Sequence, residues 1–184
     1  MRVNTVLGIV GRRGSGKTYY FINSFVPVYQ KAHPNKLILI IDTLDHPAYR
    51  DIPKFDITNP ATSGLYRLYG SNIDAIIKYV TLYITNALIV FEDASKYITN
   101  RFDDKMKMYL YDSKQKNVDI IFMFHGFAAA PPDFWRITDS VALFTTDHPQ
   151  CRKNYFVNYD EILAAYEKVI KSKNKYHHET VIIY

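Results

Sequence analysis

Apolar and polar positions along the chain follow two periods, and the two separate strands from helices. Leu37 to Ile41, Ala87 to Phe91 and Val118 to Phe124 are short, nearly continuous apolar runs bounded by turn residues. Such runs fit strands buried on both faces of a parallel sheet. Val3 to Val10 reads the same way, and Leu65 to Tyr69 alternates as an edge strand does. Lys54 to Ile57, Ser140 to Thr145 and Thr180 to Tyr184 are shorter strand candidates within less regular sequence. Helical spacing predicts Thr18 to Val26, ended by Pro27, and Asn72 to about Tyr83, capped by Ser71, with Ile73, Ile76, Ile77 and Val80 on one face. Further helices are expected over Asp103 to Lys116, in a turn from Pro131 to Trp135, and over Asp160 to Lys171. Strands alternating with helices predict an α/β fold, a three-layer sandwich around a mostly parallel central sheet. No repeat, low-complexity tract or long linker divides the chain, so residues 1–184 are expected to form one domain.

Between the first strand and the first helix lies Gly11-Arg12-Arg13-Gly14-Ser15-Gly16-Lys17-Thr18, which fits G-x-x-x-x-G-K-[ST] at every fixed position. A strand, a glycine loop and a helix N-terminus make a phosphate cradle. The glycines let the backbone turn tightly and aim its N–H groups inward, and the helix dipole adds positive potential. Lys17 is expected to reach the β- and γ-phosphates, and the Thr18 hydroxyl to hold Mg²⁺. The fold expected is therefore that of a P-loop NTPase, with a nucleoside triphosphate held by Gly11, Arg13, Gly14, Ser15, Gly16, Lys17, Thr18 and Tyr19. Tyr19 and Tyr20 follow the loop directly, either to touch the base or to pack.

Glu92-Asp93 ends the apolar strand from Ala87, where P-loop ATPases place carboxylates for metal and water. By position Glu92 is the metal-side group and Asp93 the water-activating one, in the reverse of the usual Asp-Glu order. His125 ends the strand from Val118 and is a candidate sensor of the γ-phosphate, because open α/β sheets bind ligands at the carboxyl ends of their strands. Asp42 sits at another strand end, where it either reaches the site or forms the turn.

Charge adds a partner class. The chain of 184 residues carries a net charge of +5 with a pI near 9.1, which points to an anionic partner, nucleic acid before an acidic membrane. Arg12, Arg13, Lys96, Arg101, Lys105, Lys107, Lys114 and Lys116 supply much of the excess. The one cysteine, Cys151, forms no internal disulfide and is read as a packing residue. His177-His178 lacks companion ligands for metal and reads as a solvated tail. Tyr79 to Phe91 is uncharged but too short to span a membrane, and Met1-Arg2 leads directly into the first strand, so a soluble cytoplasmic chain with no stable membrane insertion is expected.

These motifs in this order resemble the FtsK/HerA-type ATPases. The likeness is nearest to the small genome-packaging ATPases of tailless, membrane-containing viruses and the related zonula-occludens-toxin-like phage assembly ATPases. It covers roughly Val3 to Asp147 and rests on Gly11 to Thr18, Leu88 to Asp93, Asn117 to His125, and the tail Pro131 to Trp135 with Val141 to Phe144. The resemblance implies an ATP- and Mg²⁺-dependent motor, a homo-oligomeric ring of five or six subunits, which moves double-stranded DNA into a procapsid through contacts with capsid proteins. It would work in the host cytoplasm or on the virion. The family commonly has Gln at the position of His125 and Arg at that of Lys114, so Arg101 stands beside Lys114 as the residue acting on a neighbour's γ-phosphate. Two other readings share the P-loop: a nucleoside or nucleotide kinase, and a phage morphogenesis factor acting through protein contacts. No Asn-Lys-x-Asp motif occurs, which argues against a GTPase.

Overall fold

The continuous apolar runs become strands where the pattern places them. The structure, a computed structural model, describes residues 4–98 and 101–183. In chain order the strands are β1 (Val6–Val10), β2 (Leu37–Asp42), β3 (Gly64–Tyr69), β4 (Ala87–Phe91), β5 (Val118–Phe124), β6 (Ser140–Leu143) and β7 (Glu179–Ile182). The helices are α1 (Lys17–Tyr20), α2 (Val26–Ala32), α3 (Ile73–Tyr83), α4 (Asp104–Tyr111), α5 (Pro132–Trp135) and α6 (Tyr159–Lys171). The strands form one sheet of order β3-β2-β4-β5-β1-β6-β7. β1 with β6, and β2 with both β3 and β4, pair in parallel. β7 alone among the paired strands described runs antiparallel, against β6. This is the mostly parallel α/β sheet that the alternation predicts, with β3 and β7 at its edges.

Several boundaries differ from the expected ones. Pro27 does not end the first helix. The five residues Phe21–Phe25 form a π-helical turn, with the Val26 N–H bonded to the Phe21 carbonyl, and α2 then starts afresh. Pro27 thus falls in the first turn of α2, where a missing N–H breaks no bond. Asn72, not Ser71, caps α3, its side chain accepting from the Ala75 N–H. α4 stops at Tyr111, because the chain turns through Asn117 at φ +54° to enter β5. Lys54 to Ile57 provides only a single bridge, Lys54 to Arg67. β6 closes at Leu143 rather than Thr145. The expected strand start at Val3 and strand end at Tyr184 lie outside the described residues.

The chain divides into two compact units. The first comprises residues 18–92 and 103–121 with Asn4. Its core is built on β2 and β4, whose residues are almost wholly buried. Asp119, the polar break in the β5 run, is explained here: it accepts from Lys36 Nζ at 2.8 Å and from the Tyr29 hydroxyl. Burial, reinforced by that carboxylate, holds the Tyr29 hydroxyl protonated well above the usual phenol range. The second unit comprises residues 5–17, 93–98, 101–102 and 122–183. Its core is aromatic, with Phe124 and Phe134 at 4.9 Å between ring centroids, Phe134 and Trp135 at 4.8 Å, and Trp135 and Phe156 at 5.1 Å.

Candidate phosphate-binding site

In the second unit β1 delivers the chain directly into the glycine loop. The loop is pinned at both sides of its mouth. Gly11 N–H bonds the Phe124 carbonyl at 3.1 Å, and Arg12 N–H bonds the Thr145 carbonyl at 2.7 Å. It therefore opens at the carboxyl ends of β1, β5 and β6, the end of an open α/β sheet where ligands bind. Gly14 and Gly16 take φ of +77° and +98°, which L side chains rarely adopt. The Ser15 hydroxyl is buried and has no hydrogen-bond partner among the described residues. A buried orphan hydroxyl in a glycine-lined cradle suits a phosphate oxygen. Lys17 is buried, and its Nζ donates to the Gly11 carbonyl at 2.6 Å and the Arg12 carbonyl at 3.2 Å. The ammonium is thus folded back into the loop.

The same unit brings together two of the predicted residues that are 32 apart in sequence. His125 Nε2 lies 2.6 Å from Oδ1 of Asp93, and Lys96 Nζ lies 2.7 Å from Oδ2. Asp93 sits in the left-handed region at φ +50°, a conformation Asp tolerates better than most residues, at the start of a short 3-10 turn over Ala94–Lys96. His125 is fixed from behind, its N–H donating to the Ser95 hydroxyl at 3.1 Å. Beyond it Asp147 organises the turn, accepting from the N–H groups of Phe127 at 2.6 Å and Ala128 at 2.9 Å.

In the first unit Glu92 follows β4, its N–H bonded to the Ile41 carbonyl. The Thr18 hydroxyl approaches Oε1 at 3.4 Å, and the Tyr49 hydroxyl donates to Oε2 at 2.7 Å. Tyr49 is fully buried, and burial first, then the Glu92 charge, raises its hydroxyl far above the ordinary phenol range, so it stays a donor. Thr18 and Glu92 offer adjacent hard oxygens. That set fits Mg²⁺, which takes one or two carboxylates and leaves its other positions to water and phosphate. No cluster of three or more acidic, His or Cys side chains able to hold a metal occurs among the described residues.

Asp42 resolves to the turn-forming role. It is completely buried and accepts from the N–H groups of Leu44 and His46 and from Arg67 Nη1 at 3.3 Å. Arg12, Arg13, Arg101, Lys105 and Lys114 are exposed, as is Tyr19, while Tyr20 is half-buried. Two of the other basic groups are engaged internally: Lys96 on Asp93, and Lys116 on the Thr81 carbonyl at 2.9 Å. Cys151 is exposed in the 3-10 segment Pro149–Tyr155, not packed as expected. His177 and His178 are held rather than solvated: His177 lies 2.9 Å from Glu179, and His178 stacks on Phe144. Sequence reasoning missed Tyr49, Ser95 and Asp147. Nothing local marks Tyr49, which is 43 residues from Glu92. Asp147 had a usable signal, an acid following a strand end.

Comparison with solved structures returns viral packaging proteins over the whole chain. The genome packaging NTPase B204 from Sulfolobus turreted icosahedral virus 2, in complex with ATP-gammaS, matches with TM-score 0.74 and 20% identity, covering 100% of this chain and 94% of that one. The same protein in complex with sulfate gives TM-score 0.77 at 18% identity, over 100% and 93% of the two chains. B204 described as the DNA-packaging ATPase from Sulfolobus turreted icosahedral virus gives TM-score 0.75 at 18% identity, over 100% and 94%. No family model and no curated protein sequence matches the chain. The fold is that of a P-loop NTPase, and the resemblance to small viral packaging ATPases extends from the motifs to the full length of the structure.

Proposed function

We propose that this chain is an Mg²⁺-dependent ATPase of the FtsK/HerA type that moves viral double-stranded DNA into a procapsid. One observation carries the reading: a complete P-loop, opening at the strand ends, on a fold whose full-length neighbours are described as genome packaging NTPases. The loop N–H groups, with Arg13 and the Ser15 hydroxyl, would take the phosphates, and Tyr19 would flank the nucleoside. Lys17 would leave the Gly11 and Arg12 carbonyls for the β- and γ-phosphates. Thr18 and Glu92 would hold Mg²⁺, which when bound offsets phosphate charge and polarises the γ-phosphoryl group. Tyr49 keeps the Glu92 carboxylate turned toward Thr18.

Asp93 and His125 form a pair that a γ-phosphate can separate. His125 would turn from Asp93 to the phosphate and so report its presence, freeing Asp93 to accept the proton of the attacking water. Arg101, exposed, is assigned the role of acting across a subunit boundary in a ring of five or six copies, with Lys114 as the alternative. Arg is the better fit, since its planar fork matches phosphate geometry. Exposed Arg12 and Lys105 are available to a nucleic-acid backbone. In this reading residues 1–184 act as one ATPase domain, in the host cytoplasm and on the virion, against capsid proteins. No helix among the described residues is long and apolar enough to cross a membrane.

Phosphate release from ATP tests the reaction class. We expect Mg²⁺-dependent release of inorganic phosphate with water as the sole acceptor. Transfer of the γ-phosphoryl group to an added nucleoside or nucleotide, without free phosphate, would mark a kinase and remove the motor.

A further inference from the structure

We propose that Tyr176, in the turn before β7, is the platform on which the nucleobase of the bound triphosphate stacks. The inference rests on the triphosphate reading of the loop, in which Tyr19 flanks the nucleoside, and adds a stacking plane for the base. Backbone N–H groups and Lys17 hold polyphosphate and are blind to the base. A base emerging from the loop needs an apolar plane beside it, and π-faces accept any base without hydrogen-bond readout.

Tyr176 supplies such a plane in contact with the loop itself. A Cβ built on Gly16 would lie 2.8 Å from the Tyr176 ring Cδ1 and 3.5 Å from its Cγ. The lack of a side chain at position 16 is therefore what lets the ring rest against the loop backbone. Tyr176 is 50% exposed. The Lys175 ammonium sits 4.7 Å from the ring centroid, so the ring already attracts a partner to its π-surface.

The platform is held firmly for a residue outside regular structure. Tyr176 N–H donates to the Asn174 side chain at 3.0 Å, and His177 N–H donates to the Asn174 carbonyl at 2.9 Å. Two residues on, His178 stacks on Phe144 with ring centroids 5.0 Å apart and planes 16° apart. Phe144 N–H in turn bonds the Val10 carbonyl at 2.8 Å, at the mouth of the loop. The turn is thus tied to the phosphate cradle at two points, Gly16 and Phe144. A half-open aromatic ring would otherwise be free to swing. An edge strand needs no such attachment.

The test is calorimetric binding of ATP and of inorganic tripolyphosphate to the full chain, with Tyr176→Ala, Tyr176→Leu, Tyr176→Trp and Tyr19→Ala. Leu keeps apolar packing on Gly16 but lacks a π-face. The Ala and Leu variants should lose affinity for ATP by about 5- to 150-fold, the range for base–aromatic stacking, with tripolyphosphate binding unchanged. Tyr176→Trp should retain ATP. Equal losses for both ligands, no loss, tighter ATP binding, or a loss confined to Tyr19→Ala would each overturn the platform. Wild-type protein that binds neither ligand would overturn the triphosphate reading and the platform together. Normal binding of both by wild-type and Tyr176→Ala protein would overturn the platform alone.

Discussion

Lys17→Ala should reduce ATP turnover by at least about 100-fold, the scale for removing a preorganised charge from a phosphoryl-transfer site. The side chain is buried, and its Nζ donates to two carbonyls of its own loop, at 2.6 and 3.2 Å. A buried ammonium is not kept there for stability alone, since burial of its charge is costly. In the loop it is stored next to where phosphate oxygens would arrive. Removing it also strips a donor from the Gly11 and Arg12 carbonyls, so the variant's melting temperature should be followed alongside the phosphate-release assay. Lys17→Arg should fail as well, because its fork does not replace a compact point charge. Unchanged turnover in Lys17→Ala would remove this loop as the site.

The second large effect separates the two neighbouring acids. Asp93→Asn should lower kcat by about 10²- to 10⁴-fold, the range for loss of a positioned proton acceptor, with ATP affinity retained. Glu92→Gln should instead raise the Mg²⁺ concentration needed for half-maximal hydrolysis, because the amide keeps the Tyr49 bond yet loses the charge that draws the cation. The assignment follows from their partners. Glu92 faces hydroxyls, those of Thr18 and Tyr49, whereas Asp93 faces His125 and Lys96. A magnesium titration of phosphate release distinguishes them. If Asp93→Asn shifted the magnesium requirement and Glu92→Gln only slowed turnover, the roles would be exchanged.

Much of this was legible in the residues because it is written locally. β2, β4 and β5 are continuous apolar runs, and burial on both faces is what such runs require. The P-loop carries its own signature, and Glu92, Asp93 and His125 declare themselves by standing at strand ends. What was not legible depends on contacts far apart in sequence or on geometry that alters a local rule. Pro27 breaks an α-helix in general, but the π turn at Phe21–Phe25 moved it into a first turn. Asp119 interrupts the apolar run of β5, and its partners Lys36 and Tyr29 lie more than 80 residues away. Tyr49 lies in a stretch with neither helical nor strand periodicity, 43 residues from the Glu92 carboxylate it contacts. The segment Pro149–Tyr155 is too short for helical periodicity to register, and with it went the exposure of Cys151.

A packaging motor must couple hydrolysis to a DNA backbone, and one measurement addresses that coupling directly. Phosphate release from ATP should be followed with and without double-stranded DNA, at about 50 and about 200 mM salt, with Lys17→Ala as the control for contaminating activity. A motor that grips phosphates should show hydrolysis that DNA stimulates, with the stimulation weakening as salt rises, because contacts to phosphates are lost with counterion competition. Hydrolysis that is indifferent to DNA at both salt concentrations would contradict the motor.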